Sequence, residues 1–174
     1  MRPAGKAVTV TLVNGRGQLG RYLSTLAGSI SCDEETYIYH TWNVADKSKE
    51  AQQKEYDQFV KFVDKHCDKK IIFISTSSLK ETHYTFYKHT AESYLLANSV
   101  KSLVIRLPTF ISHKSVIRGL AEGKVKPQGT MELISVQDAA KSVLEYINYS
   151  GLVRSFTIYG QKMSAEYINL ILKV

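Results

Sequence analysis

A chain of 174 residues is long enough for one domain with a real core and too short for two of ordinary size. Its 44% hydrophobic and 22% charged content sets aside a disordered or fibrous protein, no apolar run reaches the length of a membrane span, and Met1-Arg2-Pro3-Ala4-Gly5-Lys6 lacks the apolar centre of a secretory leader. The net charge of +7 favours anionic ligands, but its cations are scattered, with no arginine-rich arm or zinc-finger spacing, so nucleic acid is the least favoured partner.

Taken in chain order, the β-branched run Ala7–Val13 predicts a first strand. Asn14-Gly15-Arg16-Gly17-Gln18-Leu19-Gly20 follows it, and a helix is expected from Gln18 to about Ala27. Gly15, Gly17 and Gly20 fit a G-x-G-x-x-G spacing. Such a turn lets a pyrophosphate approach the main chain, and the free amides of the new helix face the phosphates. A tight strand-to-helix turn without a ligand would use the same residues. Cys32 and Cys67 lack metal-ligand spacing and read as free thiols of a reducing, cytoplasmic compartment.

Tyr37–Trp42 predicts a second strand, and Tyr56, Phe59, Val60 and Val63 line one face of a helix from about Lys49 to His66. Ile71–Ile74 is fully apolar, as a central parallel strand covered on both faces must be. Tyr87, Ala91, Tyr94 and Leu95 mark the next helix, and Leu103–Ile105 a further strand closed by Pro108. A short helix over Val116–Ala121 ends near Gly123. Ser135 opens a helix carrying Ala140, Val143, Leu144 and Ile147, with Asp138 three positions on in a capping-box spacing. Phe156–Tyr159 reads as a late strand, and Ser164 as the cap of a last helix. Strand and helix alternate throughout, which implies an α/β fold: a compact doubly wound parallel sheet, one domain over residues 1–174, with ligands at the carboxyl ends of the strands.

The candidate chemistry lies at that edge. Ser75-Thr76-Ser77-Ser78 ends the apolar strand, Tyr84 follows, and Lys88 stands four residues later on the same helical face. An ammonium beside a phenol favours the phenolate and lowers its pKa. A phenol so tuned can pass a proton to or from a carbonyl oxygen, with a Thr or Ser hydroxyl orienting that oxygen. Eleven tyrosines in a lysine-rich chain make one Tyr-x-x-x-Lys unsurprising. Its position after a hydroxyl-rich strand end, downstream of a glycine turn, is what points to function. His66 and His113 read as surface residues, and His83 and His89 as bystanders of the site.

In order, Val13–Gly20, Ile38-Tyr39-His40, Phe73–Ser78, Tyr84–Lys88 with Glu92, Val104–Pro108 and Ile134–Ala140 resemble the extended short-chain dehydrogenase/reductase family, in particular its dTDP-4-dehydrorhamnose-reductase-like members. The resemblance implies a Rossmann-like fold. It implies a cofactor turn of Asn14, Gly15, Arg16, Gly17, Gln18, Leu19 and Gly20, with Pro108 in the nicotinamide-contacting loop. Thr76 would bind the substrate oxygen, Tyr84 would be the acid/base, and Lys88 would hold the nicotinamide ribose. Ser77 and Ser78 stand where dehydratase members carry an acidic pair, which leaves reduction or epimerisation. Arg16 leans the cofactor toward NADP(H) over NAD(H).

Four departures stand out, one of them a segment between Thr76 and Tyr84 much shorter than usual. Asn14 replaces the usual first glycine. Between Gly20 and Tyr37 no strand is evident to carry the group that reads the adenosine ribose. The substrate-binding portion shrinks to little more than Ser112–Gly129. The reading is therefore an NAD(P)-dependent reductase or epimerase acting on a nucleotide-activated sugar, with no metal and no membrane, and with a homodimer through a two-helix seam as one option. The alternative is a catalytically silent relative that binds dinucleotide or protein, using tyrosines such as Tyr37, Tyr39, Tyr84, Tyr87 and Tyr94 as a contact surface.

Overall fold

The computed structural model describes residues 9–14, 17–111, 119–120, 122–124 and 129–172. Its elements are β1 (Val10–Val13), α1 (Gln18–Ala27), β2 (Thr36–Tyr39), α2 (Lys49–Lys65), β3 (Lys70–Thr76), α3 (His83–Asn98), β4 (Leu103–Leu107), β5 (Thr109–Ile111), β6 (Thr130–Ser135), α4 (Val136–Leu144), β7 (Ser155–Thr157), β8 (Gln161–Ser164) and α5 (Ala165–Leu172). Of the expected short helix over 116–121 only residues 119–120 are described, as helix, and most of 112–129 lies outside the described residues, as do Gly15 and Arg16.

Five strands form a parallel sheet in the order β1-β2-β3-β4-β7. Helices cover both faces, so the expected α/β architecture is present. β3 is buried from Lys70 to Ser75, because side chains on both of its faces meet helices. Alternation along the strands then divides the core in two. Ile38, Ile72, Ile74, Leu103 and Ile105 pack under α1 and α4. Tyr39, Ile71, Phe73 and Val104 pack under α2 and α3, with Trp42, Phe59, Tyr87 and Leu95.

Burying that second layer corrects the idea of a tyrosine-rich contact surface. Tyr39 and Tyr87 are core residues, 4% and 6% exposed, and Tyr37 and Tyr84 pack against the same cluster. Their rings supply apolar area that a Tyr-rich α/β chain uses inside. His66, expected at the surface, stacks on Tyr37 and Phe62 with centroids 4.6 and 4.7 Å away.

β1-α1-β2 and β2-α2-β3 both step the same way across the sheet, yet α1 and α2 lie on opposite faces. The two crossovers therefore have opposite hands, and one is of the rare left-handed kind. The strand order runs without a reversal, and among the described residues β1 has no strand on its outer side. Residues 28–35 form turn and bend with a single bridge residue at Cys32, rather than the extra strand of the resembled family.

Hydroxyl side chains set the helix starts, at Ser135 and Ser164 where the sequence suggests it and at Ser48 where it does not. Ser48 accepts from the Ala51 amide, and Ser135 from that of Asp138. Asp138 does not complete the expected capping box, since its carboxylate accepts the Ser135 hydroxyl instead. Ser164 caps α5 through the Tyr167 amide, as expected. A small second sheet, β5-β6-β8, was not legible in the pattern. β6 pairs parallel with β5 and antiparallel with β8.

Candidate active site

Parallel strands put all their carboxyl ends on one edge. Asn14 and Gly17 follow β1, His40 to Trp42 follow β2, Thr76 to Ser78 end β3, and Pro108 follows β4. The glycine turn and Thr76 are thus separated by one intervening strand, roughly 10 Å across the edge.

The start of α3 is held by a reciprocal cap. The Thr85 amide donates to the Thr82 hydroxyl and the Thr82 amide to the Thr85 hydroxyl, while the Thr85 hydroxyl also donates to the Lys80 carbonyl. This cap places Tyr84 in the first turn and Lys88 one turn later, over the end of β3. Glu92, 3% exposed as a residue, takes a forked ion pair from Arg106 of β4 and fixes the helix against the sheet.

Thr76, Tyr84 and Lys88 come together. The Thr76 hydroxyl accepts from the Ser78 amide at 3.1 Å and lies close enough to Tyr84 to pull its phenol pKa down. Lys88 is 4% exposed. Its Nζ donates to the Ile74 carbonyl at 2.6 Å and lies 5.0, 5.2 and 5.8 Å from the ring centroids of Phe73, Trp42 and Tyr84. Those rings give the cation some return for its lost hydration.

The expected tuning of the phenol is not what the site shows. Burial pushes Tyr84 up to about 12, and the Thr76 hydrogen bond opposes this only in part. Burial also drives Lys88 down to about 7, against the pull of Glu92 and Glu55. A cation removed from water at this depth is itself destabilised, so it cannot hold a neighbouring phenol near neutrality.

The cofactor turn is partly within view. Asn14 takes a φ of 56°, the left-handed conformation that asparagine tolerates better than most residues. The departure from glycine at this position therefore keeps the turn. Gly17 is the N-cap residue of α1, with no side-chain cap and no acid in the first turn. A Cβ built there would meet nothing within 4 Å. Orphan amides beside open space suit a diphosphate. Leu19 and Gly20 are buried, where they let α1 sit close to β1. The adenosine side is less furnished, because β1 is the outer strand among the described residues.

Three features lay beyond the sequence reading. The loop after β2 is pinned by buried Gln52, which accepts from Trp42 Nε1 at 2.7 Å and donates to the Asn43 and Asp46 carbonyls. That fixes Trp42 against Lys88. His40 follows β2 with a buried Nε2 that has no partner. A cleft of about 420 Å³ opens beside α3, lined by Thr76, Ser77, His89, Glu92, Arg106 and Thr157. Neither a lone histidine nor a cleft between distant segments leaves a spacing in the chain.

No protein-family profile and no curated protein sequence matches the chain. Solved structures do. A nucleoside-diphosphate-sugar epimerase from Staphylococcus aureus superposes with a TM-score of 0.74 at 14% identity, over 95% of this chain and 76% of that one. The fold is that of nucleotide-sugar epimerases and reductases. A dTDP-4-dehydrorhamnose reductase from Clostridium acetobutylicum matches with a TM-score of 0.71 at 15% identity, over 95% and 79% of the two chains. The Bordetella bronchiseptica enzyme WbmG, in complex with NAD and UDP, matches with a TM-score of 0.70 at 12% identity, over 99% and 79%. Among the described residues, no helix is long and apolar enough to cross a membrane.

Proposed function

We propose that the chain binds a nicotinamide dinucleotide and uses it to reduce a keto group, or to epimerise through one, on a nucleotide-activated sugar. The observation that carries this reading is the meeting of Thr76, Tyr84 and buried Lys88 on the sheet edge that also bears the open Gly17 turn. When bound, the nicotinamide supplies or accepts the hydride. Asn14 to Gly20 hold its diphosphate, and Lys88 holds the adjoining ribose. Pro108 closes the nicotinamide side. Thr76 donates to the substrate oxygen, and Tyr84 exchanges a proton with that oxygen. The sugar lies toward the cleft that Thr76 borders. Arg16, next to Gly17, supplies a cation for a 2′-phosphate and favours NADPH over NADH.

Ligand contact is what readies the acid/base. A hydroxyl-bearing ligand beside Lys88 gives the ammonium new acceptors and raises its affinity for a proton, and the cation then draws the phenol down. The test is a fluorescence titration with NADPH and NADH, followed by turnover of keto nucleotide sugars. Wild type should bind and turn over, and Tyr84→Phe should bind within about twofold of wild type while losing turnover by at least about a hundredfold. Undiminished turnover in that variant would remove Tyr84 from the mechanism.

A second reading has one observation in its favour. With Tyr84 pushed up to about 12, the chain could serve as a nucleotide-binding module without chemistry. Tight binding with no turnover on any keto sugar selects it.

A further inference from the structure

The three rings around Lys88 Nζ are not held alike. Phe73 belongs to β3 and Tyr84 to α3, so regular backbone sets both. Trp42 lies in the irregular chain between β2 and α2, yet its ring centroid stands 5.2 Å from Nζ. An indole is the best of the three faces for a cation. Its aim comes from Gln52, a fully buried residue of α2. The Gln52 amide is used in full. Its oxygen accepts from Trp42 Nε1 at 2.7 Å, and its nitrogen donates to the Asn43 and Asp46 carbonyls. The first bond sets the tilt of the indole, and the other two hold the loop that carries it. An apolar side chain would fill the same space without burying an amide, so these bonds serve orientation rather than packing.

The charges acting on Lys88 come from Glu92 of α3 and Glu55 of α2, with His40 on the β2 side and the Tyr84 phenol on its own helix. Glu92 is committed to Arg106. The direct partners of Nζ among the described residues are therefore the Ile74 carbonyl and the three rings.

We propose that Trp42 is a positioning residue for Lys88 and that Gln52 acts through it from α2: the indole face holds the ammonium over the end of β3, in place to meet the nicotinamide ribose. The last step rests on the nucleotide-binding reading above.

The test follows the Lys88 Cε carbon resonance through a pH titration of the full chain without ligand, assigned by its loss in Lys88→Met. Trp42→Leu keeps an apolar side chain without a π face, and the Lys88 midpoint should fall by about half to one and a half pH units. Trp42→Phe supplies a weaker face and should recover part of the fall. Gln52→Leu leaves the indole without its acceptor and should lower the midpoint as well. A ring that merely fills space would leave the titration unmoved, so equal midpoints in wild type and Trp42→Leu overturn the proposal. Equal midpoints in wild type and Gln52→Leu overturn the part assigned to Gln52. Should the variants fail to fold, wild type decides. Trp42 is the only tryptophan, and its emission should change over the pH interval in which the Lys88 carbon moves; emission indifferent to that titration overturns the proposal. NADH titrations test the ribose step separately. For a midpoint one unit lower, the charged fraction of Lys88 drops about fivefold at pH 7 and about twofold at pH 6, and NADH affinity in Trp42→Leu should drop by the same factors. Undiminished affinity despite a lowered midpoint overturns the ribose step. Wild type that binds no NADH refutes the nucleotide-binding reading, while the ligand-free midpoints still judge Trp42.

Discussion

Lys88 is the place where stability and function should be separable. Burial takes its ammonium from the ordinary 10.5 down to about 7. At about 1.4 kcal/mol per pH unit, that gap corresponds to about 5 kcal/mol. The sign follows from proton counts. Between pH 7 and 10.5 the unfolded chain binds more protons at this site than the fold does, so stability rises with pH across that window. It is fully present above the unfolded value and is lost as pH falls through the folded one. Lys88→Met removes the penalty, keeps a flexible side chain among Phe73 and Trp42, and gives up the bond to the Ile74 carbonyl at a cost of about 1–3 kcal/mol. The net expectation at pH 7 is a gain of about 2 kcal/mol, or roughly 4–8 °C in Tm for a chain of this size. Urea unfolding of wild type and variant from pH 7 to 10 should show the difference shrinking and then reversing, while the variant loses nucleotide binding. A variant less stable than wild type at pH 7, or a difference that does not change with pH, would refute the assignment of Lys88 as a buried, destabilised cation.

Gly17→Asp places an N-cap acceptor where the backbone is extended and a Cβ has open space. It should raise stability by a few tenths of a kcal/mol and weaken NADH by at least about tenfold through repulsion of the diphosphate, read by thermal melts and titration. Asn14→Val should cost about 1–2 kcal/mol because a β-branched residue must take a φ of 56°, whereas Asn14→Gly should be nearly neutral; urea unfolding separates the two. With β1 as the outer strand, the adenosine half has little protein to meet, so reduced nicotinamide mononucleotide should bind within about tenfold of NADH in a fluorescence titration. A far larger gap would show that the adenosine half finds a wall of its own.

What could be read from the chain follows the physics of each signal. α1 came out at Gln18–Ala27 as expected, because a glycine turn and a long apolar periodicity mark both ends. β3 was placed by its uninterrupted apolar run, although its true span reaches Thr76. Short strands defeated the reading. β8 is Gln-Lys-Met-Ser, a sequence with no strand preference, and it is extended only because β6 pairs with it. The site was half legible. Tyr84 and Lys88 share a helical face, so their meeting followed from spacing, but a lysine in a basic chain reads as solvated. Nothing local shows that Trp42, Phe73 and Ile74 enclose it.

The handedness of the crossovers shows how helices come to cover both faces of a sheet whose strand order does not reverse. In a doubly wound sheet, right-handed units cover both faces because the strand order reverses at the first strand. Here the order does not reverse, and α1 nevertheless packs on α4 while α2 packs on α3. Among the described residues the chain thus has both helix layers without a strand on the far side of β1, at the cost of one unfavoured crossover. What is proposed to hold the nicotinamide end comes from the ends of β1, β3 and β4 and from α3. Thr76, the Tyr84 phenol and the Lys88 ammonium, the groups proposed to react, depend on the β3–α3 unit and the Glu92–Arg106 clamp, not on the outer edge. Substitutions at the outer edge of β1 should therefore weaken ligand affinity without disturbing the geometry of Thr76, Tyr84 and Lys88.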